Sequence, residues 1–237
     1  MKIVTSAQMT ALEQASERSG VSTDTLMENA GLAVAEAARK ELGGAAGIPV
    51  LVLVGPGNNG ADGLVAARHL RRWGADVTAF IVTGRPKTDP KMELARSYGV
   101  AIGGSSGETG LDELDRLLGR CRLVIDAVLG TGRSRPLEGA VKEAMLRLAA
   151  RRKGHGPPLL LALDLPTGLN PDTGEVDPAC PKADVTIALG FPKRGLLAFP
   201  GAGRTGRLQI VDIGLPPDLA EEEDIPVELL SPDWVSR

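Results

Sequence analysis

The chain has 237 residues, room for one large α/β domain or two small ones, and one is the expectation. It is 43% hydrophobic and 24% charged, as a folded globular protein usually is, and a net charge of -3 gives no reason to expect nucleic acid or an anionic membrane surface as partner. Aromatics make up only 3%, which leaves too few rings for a base-stacking platform.

In chain order, the opening MKIVTSAQMTALEQ lacks the long apolar core of a signal peptide, and no stretch approaches a membrane span. Cys121 and Cys180 form no CxxC and no metal-like spacing, so free thiols in a reducing cytoplasm are expected. A helix is predicted over Ser6–Arg18, capped by Thr5 or Ser6. A second follows over Thr23–Leu42, with Leu26, Ala30, Ala33, Val34 and Ala37 on one face. Glu28 and Asn29, in its MENAG segment, read most plainly as a solvated face and a helix–helix polar contact.

Val50–Val54 is an apolar run of the kind that forms a fully buried parallel strand. It empties into a Gly-rich turn, Gly55–Gly63, before helical spacing resumes over Leu64–Leu70. Exposed N–H groups at such a helix start favour an anionic ligand. Gly55, Gly57 and Gly60 match G-x-G-x-x-G, but the Lys and Ser/Thr of a P-loop are replaced by Ala61 and Asp62, which argues against a triphosphate. Strands are then expected over Val77–Val82, Leu123–Ala127, Leu159–Leu163, Val185–Leu189 and Leu208–Val211. Helices are expected over Thr88–Tyr98, Leu111–Leu118 and Glu138–Ala150, with a loop over Gly103–Gly110. This alternation argues a Rossmann-like, doubly wound, mostly parallel sheet with helices on both faces, a three-layer α/β fold. Residues 1–217 are taken as the domain and 218–237 as a tail or linker.

Three strands end in polar turns of one character: Gly55–Gly63, Asp126–Pro136 and Asp164–Gly168. In an open parallel sheet such ends line one edge, where ligands bind. Asn59, Asp126 and Thr167 could therefore converge, and their amide, carboxylate and hydroxyl oxygens suit a hard cation rather than zinc. For Asp126 and Asp164 the plainer alternative is a local cap.

The segments GPGNNGADG, IDAVLGTG, LDLPTGLNPDTG, ADVTIALGFPKRGLL and PGAGRTGRLQIVDIGLP, in this order, closely resemble the NAD(P)H-hydrate epimerase family, the YjeF N-terminal domain. The resemblance runs from the MENAG helix pair to Pro216. It implies a Rossmann-like fold, often dimeric. The implied activity interconverts the R and S forms of hydrated NADH and NADPH, damaged cofactors with a hydroxyl at C6 of the nicotinamide ring. It also implies a bound potassium ion and an S-specific, ADP- or ATP-dependent dehydratase as functional partner. The end, VELLSPDWVSR, resembles the join at which some members continue into that dehydratase.

Carried onto this sequence, Asn58, Asn59, Gly60, Ala61 and Asp62 resemble the substrate-binding turn. Gly130, Thr131, Gly132, Arg133, Ser134, Arg135 and Pro136 resemble the loop that holds substrate phosphates, where the arginines offer charge-assisted bonds. Asp164 matches the substrate-contacting, catalytic carboxylate, while Asn59, Asp126 and Thr167 match the potassium ligands. Ala61 stands where Gly is usual and Thr167 where Ser is commoner; neither removes a functional atom. The chemistry expected of Asp164 is proton transfer at the C6 hydroxyl, whose departure the ring nitrogen assists, with water returning to either face of the planar iminium.

Two rivals are weighed. An NADP-dependent oxidoreductase would use the Gly-rich turn, with Arg85 on a 2′-phosphate, yet leaves Asp62, Asp126 and Asp164 unexplained. A non-catalytic binding or scaffold module of the same fold predicts loss of Asp164 or of the Asn pair. Elsewhere, His69 is read as packing or surface and His155 as solvent-exposed. Lys193 and Arg194 are left between a phosphate contact and a solvated loop.

Overall fold

The apolar run becomes strand β1 (Pro49–Val54), near the middle of the sheet, and its neighbours are apolar in the same way. The structure, a computed structural model, describes residues 1–86, 88–105, 110–132, 136–222 and 225–229. Within them lie β2 (Asp76–Ile81), β3 (Ala101–Gly104), β4 (Leu123–Ala127), β5 (Leu159–Leu163), β6 (Val185–Leu189) and β7 (Arg207–Val211). Together they form one seven-stranded sheet in the order β3-β2-β1-β4-β5-β6-β7, every pairing parallel. The strand order reverses between β1 and β4, so a crevice opens beyond their carboxyl ends.

Helices cover both faces. α1 (Ser6–Arg18), α2 (Thr23–Leu42), α3 (Asn58–Arg72) and α4 (Pro90–Ser97) lie on the first face, where Leu12, Val34, Leu64 and Met92 pack with Val50, Val52 and Val54. On the second face α5 (Gly110–Arg120) and α6 (Gly139–Arg152) bring Leu114, Leu118, Met145 and Leu148 against Leu51, Leu53 and Val124. Successive β1 residues therefore serve opposite cores, which is why the run has no polar alternation. Each fully buried Leu or Val contributes roughly 1.5–3 kcal/mol. Short helices α7 (Arg194–Leu197), α8 (Ala202–Thr205) and α9 (Leu219–Glu222) follow β6 and β7. Leu219, Ala220 and Ile225 are buried in the first-face core, and Lys2 pairs with Glu228 at 2.7 Å.

Local chemistry sets the boundaries. Thr5 and Gln8 form a capping box at α1, Ser22 caps α2, and Gly43 ends α2 in the left-handed region at φ 68°. Asp89 caps α4, whose first residue is Pro90. α1 and α2 have the bounds their sequence predicts.

The Gly-rich turn differs from expectation. It is only three residues long, Gly55–Gly57, and α3 already starts at Asn58 rather than Leu64. The polar Asn58–Asp62 stretch resembles a loop because its turn of helix faces a cavity instead of a core. Residues 101–104, placed partly in a loop from sequence, form β3 at the sheet edge; its Ala-Ile-Gly-Gly sequence is too short and glycine-rich to announce a strand.

MENAG acts as a helix junction. A Cβ on Gly31 would come within 2.4 Å of Val65, so only glycine lets α2 and α3 approach this closely. Glu28 ion-pairs with Arg68 of α3 and, at 2.7 Å, with Lys91 of α4, while Asn29 donates to the Ile213 carbonyl at 2.9 Å. The plainer reading, a helix–helix polar contact, holds for Glu28, while Asn29 ties α2 to the segment after β7 instead.

Candidate active site at the carboxyl edge of the sheet

At the crevice between β1 and β4 is a cavity of about 400 Å³. The start of α3 forms part of its wall through Asn58, Asn59 and Asp62, the exits of β4 and β5 through Gly130, Thr131, Gly132 and Asp164, and the helix layer adds Glu13 of α1 and Met27 of α2. Among the substrate-binding candidates Gly60 and Ala61 lie on the buried side of α3, and Pro136 is exposed away from the cavity. Arg133, Ser134 and Arg135 lie outside the described residues.

The exits of β1 and β4 touch. The Gly55 N–H donates to the Ala127 carbonyl at 3.1 Å, and a Cβ on Gly55 would sit 1.8 Å from the Val128 oxygen. α3 starts from Gly57 without a side-chain cap, so its first amides are not taken by a capping oxygen. Arg85 holds this turn: its guanidinium donates to the Gly55 and Gly57 carbonyls at 2.8 and 3.0 Å and pairs with Asp89 at 2.9 Å. Committed to the loop, with its side chain 5% exposed, Arg85 is not offered to a 2′-phosphate, and the oxidoreductase rival loses its reading residue.

Asn59, Asp126 and Thr167 meet at the segment leaving β4. Asp126 is fully buried; its Oδ1 accepts from the Thr167 hydroxyl at 2.7 Å and from the Val128 N–H at 3.3 Å, and its Oδ2 from the Thr167 N–H at 2.8 Å. Thr167 Oγ1 accepts in turn from the Leu129 N–H at 3.1 Å. The Asn59 amide lies beside Gly130, and its buried Nδ2 has no partner among the described residues. Burial pushes the Asp126 carboxyl above its usual range, and the groups that oppose this, the Thr167 amide and hydroxyl and the Val128 amide, are all neutral. Asp126 and Thr167 do not line the cavity; they hold the Val128–Leu129 segment that does.

Asp164 is the only non-glycine residue with positive φ, at 67°, among the described residues. Its amide still donates to the Ile187 carbonyl at 2.8 Å, so the chain turns sharply while tied to β6. Oδ1 accepts from the Leu189 N–H at 3.1 Å and from Lys193 Nζ; Nζ also donates to the Leu189 carbonyl at 2.8 Å. Both side chains are almost wholly buried. Oδ2 takes no hydrogen bond from the described residues, which leaves it for the cavity.

Lys193 is neither a solvated lysine nor a phosphate contact but the counter-ion of Asp164. GFPKRG gives no local sign of this, since a lysine after a strand normally points to solvent. Glu13 was not singled out at all, since one acidic residue on an amphipathic helix looks like surface. Burial raises its carboxyl above the usual range, with Lys193 lowering and Asp164 raising it. Asp62 is held well above the usual range by burial, then by the charges of Asp164 and Glu13, against Lys91 and Arg85. His69 is half-buried against Trp73 and His155 is exposed; neither reaches the cavity.

Comparison with known proteins agrees with this architecture. The family described as YjeF-related protein N-terminus matches residues 23–195. A protein of Thermofilum pendens named bifunctional NAD(P)H-hydrate repair enzyme Nnr is 37% identical over 98% of this chain and 44% of its own length. One of Elusimicrobium minutum, named NAD(P)H-hydrate epimerase, is 34% identical over 92% of this chain and 98% of its own. The chain thus spans less than half the length of the bifunctional relative and nearly all of the single-function one. The crystal structure of the yeast protein ynu0 superimposes with a TM-score of 0.77 over 99% of this chain and 98% of that one, at 23% identity, and so shares the fold. No described helix is long and apolar enough to cross a membrane. The chain belongs to the family of YjeF-related protein N-termini.

Proposed function

We propose that this chain is an isomerase that interconverts the R and S forms of hydrated NADH and NADPH. One observation carries the reading: a cavity at the strand-order reversal sets uncapped helix amides beside a carboxylate, Asp164, ion-paired with a buried lysine. The first suits a pyrophosphate and the second proton transfer at a hydroxyl-bearing ring carbon. The name of the Elusimicrobium relative, which this chain matches along nearly its whole length, supports the same activity.

In this reading Asn58, Asn59, Asp62 and the Gly130–Gly132 backbone bind the dinucleotide, and Arg133, Ser134 and Arg135 are proposed as phosphate contacts on the family resemblance. Asp164 Oδ2 exchanges a proton with the C6 oxygen. Lys193 holds the other oxygen of the same carboxylate and fixes its orientation. The apolar wall from Leu26, Met27 and Ala30 keeps bulk water from the iminium.

The donors at Asn59, Asp126 and Thr167 fit a monovalent hard cation. They offer one carboxylate, one hydroxyl and one amide oxygen, and Asp126 has only neutral donors around it. We propose potassium there; when bound it supplies positive charge next to Asp126. The word "bifunctional" in the names of longer relatives supports a second repair activity beside this one; that it is an ADP- or ATP-dependent dehydratase, fused or separate, is proposed on the family resemblance. A homodimer is proposed on the family resemblance, and a cytoplasmic location on the two free cysteines.

The reading is tested by adding the purified protein to the isolated S epimer of hydrated NADH and following the epimers by chromatography. An approach to the R/S mixture from the pure epimer is expected. An S epimer that stays pure beyond its spontaneous rate favours the non-catalytic binding module.

A further inference from the structure

Replacing a hydroxyl by water from the other side of a planar ring needs a proton given on one face and taken on the other. One carboxyl serves both faces only if the ring turns about its glycosidic bond between the two half-reactions; two carboxyls on different walls need no such turn. Asp164 stands at the sheet edge. A partner for it must come from a different wall of the cavity.

Glu13 meets that condition. It lines the cavity from α1, one turn beyond Met9, which lines it too. The start of α1 is stitched to the loop that carries Lys193: the Val4 N–H donates to the Pro192 carbonyl and the Arg194 N–H to the Val4 carbonyl, both at 3.0 Å. Those bonds bring Glu13 close enough for its carboxyl to sense the charges of both Lys193 and Asp164. Yet among the described residues it has no ion pair and no hydrogen bond. Its inward neighbours on α1, Met9 and Leu12, are apolar and buried, so the carboxyl loses water without any local compensation. An unpaired acid held in a cleft beside an ion pair is a candidate for proton transfer.

We infer that Glu13 is a further catalytic residue, the proton-transfer group that serves the ring face opposite Asp164. The inference rests on the epimerase reading above. In one direction the Glu13 proton moves to the C6 hydroxyl oxygen, the C6–O bond breaks, and the ring-nitrogen lone pair forms the C=N bond of the iminium. Water then bonds to C6 from the other face, the C=N electrons return to nitrogen, and the water proton passes to Asp164. One carboxyl has lost a proton and the other gained one; the opposite direction, or exchange with solvent, restores them. The charged groups facing Glu13 are Lys193 and Asp164, with Asp62, also in the cavity wall, sensing its charge in turn.

The test compares wild type, Glu13→Gln, Glu13→Asp and Glu17→Gln in steady-state epimerisation across pH. Glu17 is exposed on α1 and serves as the control. Glu13→Gln is expected to lower kcat by at least about 100-fold, the scale of general acid–base catalysis, with little change in KM and with loss of one limb of the pH profile. Glu13→Asp should restore part of kcat, Glu17→Gln should match wild type, and all variants should melt within a few degrees of it. Wild-type kcat in Glu13→Gln, or a loss that falls on KM with both pH limbs kept, overturns the inference and leaves the epimerase reading standing. Absence of turnover in wild type overturns both.

Discussion

Lys193 Nζ and Asp164 Oδ1 form an ion pair with almost no solvent contact, and Leu189 completes it from both sides of its peptide, N–H to the carboxylate and C=O from the ammonium. Such a pair is costly to break from one side, because the remaining charge stays buried. Lys193→Met is expected to destabilise by roughly 3–5 kcal/mol. Adding Asp164→Asn should recover part of the loss, since the orphaned charge goes. Urea unfolding of both singles and the double variant gives the coupling; fully additive losses would contradict a direct pair.

The left-handed backbone at Asp164 separates side-chain chemistry from backbone strain. Asn accepts this conformation more readily than Ala does. Asp164→Asn should therefore carry the loss of the ion pair without added backbone strain and lose turnover, whereas Asp164→Ala should lose about 1 kcal/mol more stability. Equal melting temperatures for the two would argue against the observed φ of 67°.

Thr167 joins the exits of β4 and β5 through Asp126 and Leu129. Thr167→Val takes one hydrogen bond from Asp126 and leaves the Leu129 N–H unpaired, and should cost about 1–3 kcal/mol, while Thr167→Ser should stay near wild type. If the cation site is as proposed, replacing sodium by potassium raises the melting temperature of wild type and of Thr167→Ser but not of Thr167→Val. A potassium shift that survives in Thr167→Val would place the ion elsewhere.

Two carboxyls give opposite pH signatures. The native state holds the Asp62 proton more tightly than the unfolded chain, whose value is near 3.8. Its contribution to stability is thus complete below 3.8 and lost as pH rises through the higher native value. Asp62→Asn should flatten that decline and melt higher than wild type near neutral pH. At Glu28 burial alone would raise the carboxyl, but the Arg68 and Lys91 hydrogen bonds outweigh it and bring it from 4.5 to about 2. That contribution is present above 4.5 and lost as pH falls toward 2, so Glu28→Gln should flatten the acid limb. Melting curves read by circular dichroism over both ranges check both signs.

Much of this was legible because the sequence writes some features twice. β1 shows both its apolar run and the glycines that let its exit touch β4. α1 and α2 carry periodicity and caps, and their limits were readable to the residue. Asp126 and Asp164 stood out as acids ending apolar strands. What stayed hidden depends on contacts between distant segments. Nothing near Lys193 says that its ammonium turns inward to a carboxylate 29 residues earlier. Nothing near Glu13 says that α1 is tied to that same loop. Asn58–Asp62 was misread as a turn for the converse reason: a helix start exposed to a cavity has the composition of a loop.

Arg85 makes the cleanest division between the epimerase and the oxidoreductase rival. Because it holds the Gly55 and Gly57 carbonyls, Arg85→Met should loosen the turn and raise KM equally for hydrated NADH and hydrated NADPH. A selective loss for the 2′-phosphorylated form would show instead that Arg85 reads the phosphate.

The most direct measurement is the fate of the R epimer. A purified S-specific dehydratase is given an R/S mixture of hydrated NADH and its nucleotide cosubstrate, with and without this protein and its Asp164→Asn variant. The account predicts that the R epimer left over by the dehydratase alone is consumed when wild type is present and persists with Asp164→Asn. Persistence of the R epimer beside folded, potassium-supplied wild type would contradict the account, and would mean that the cavity binds without catalysing.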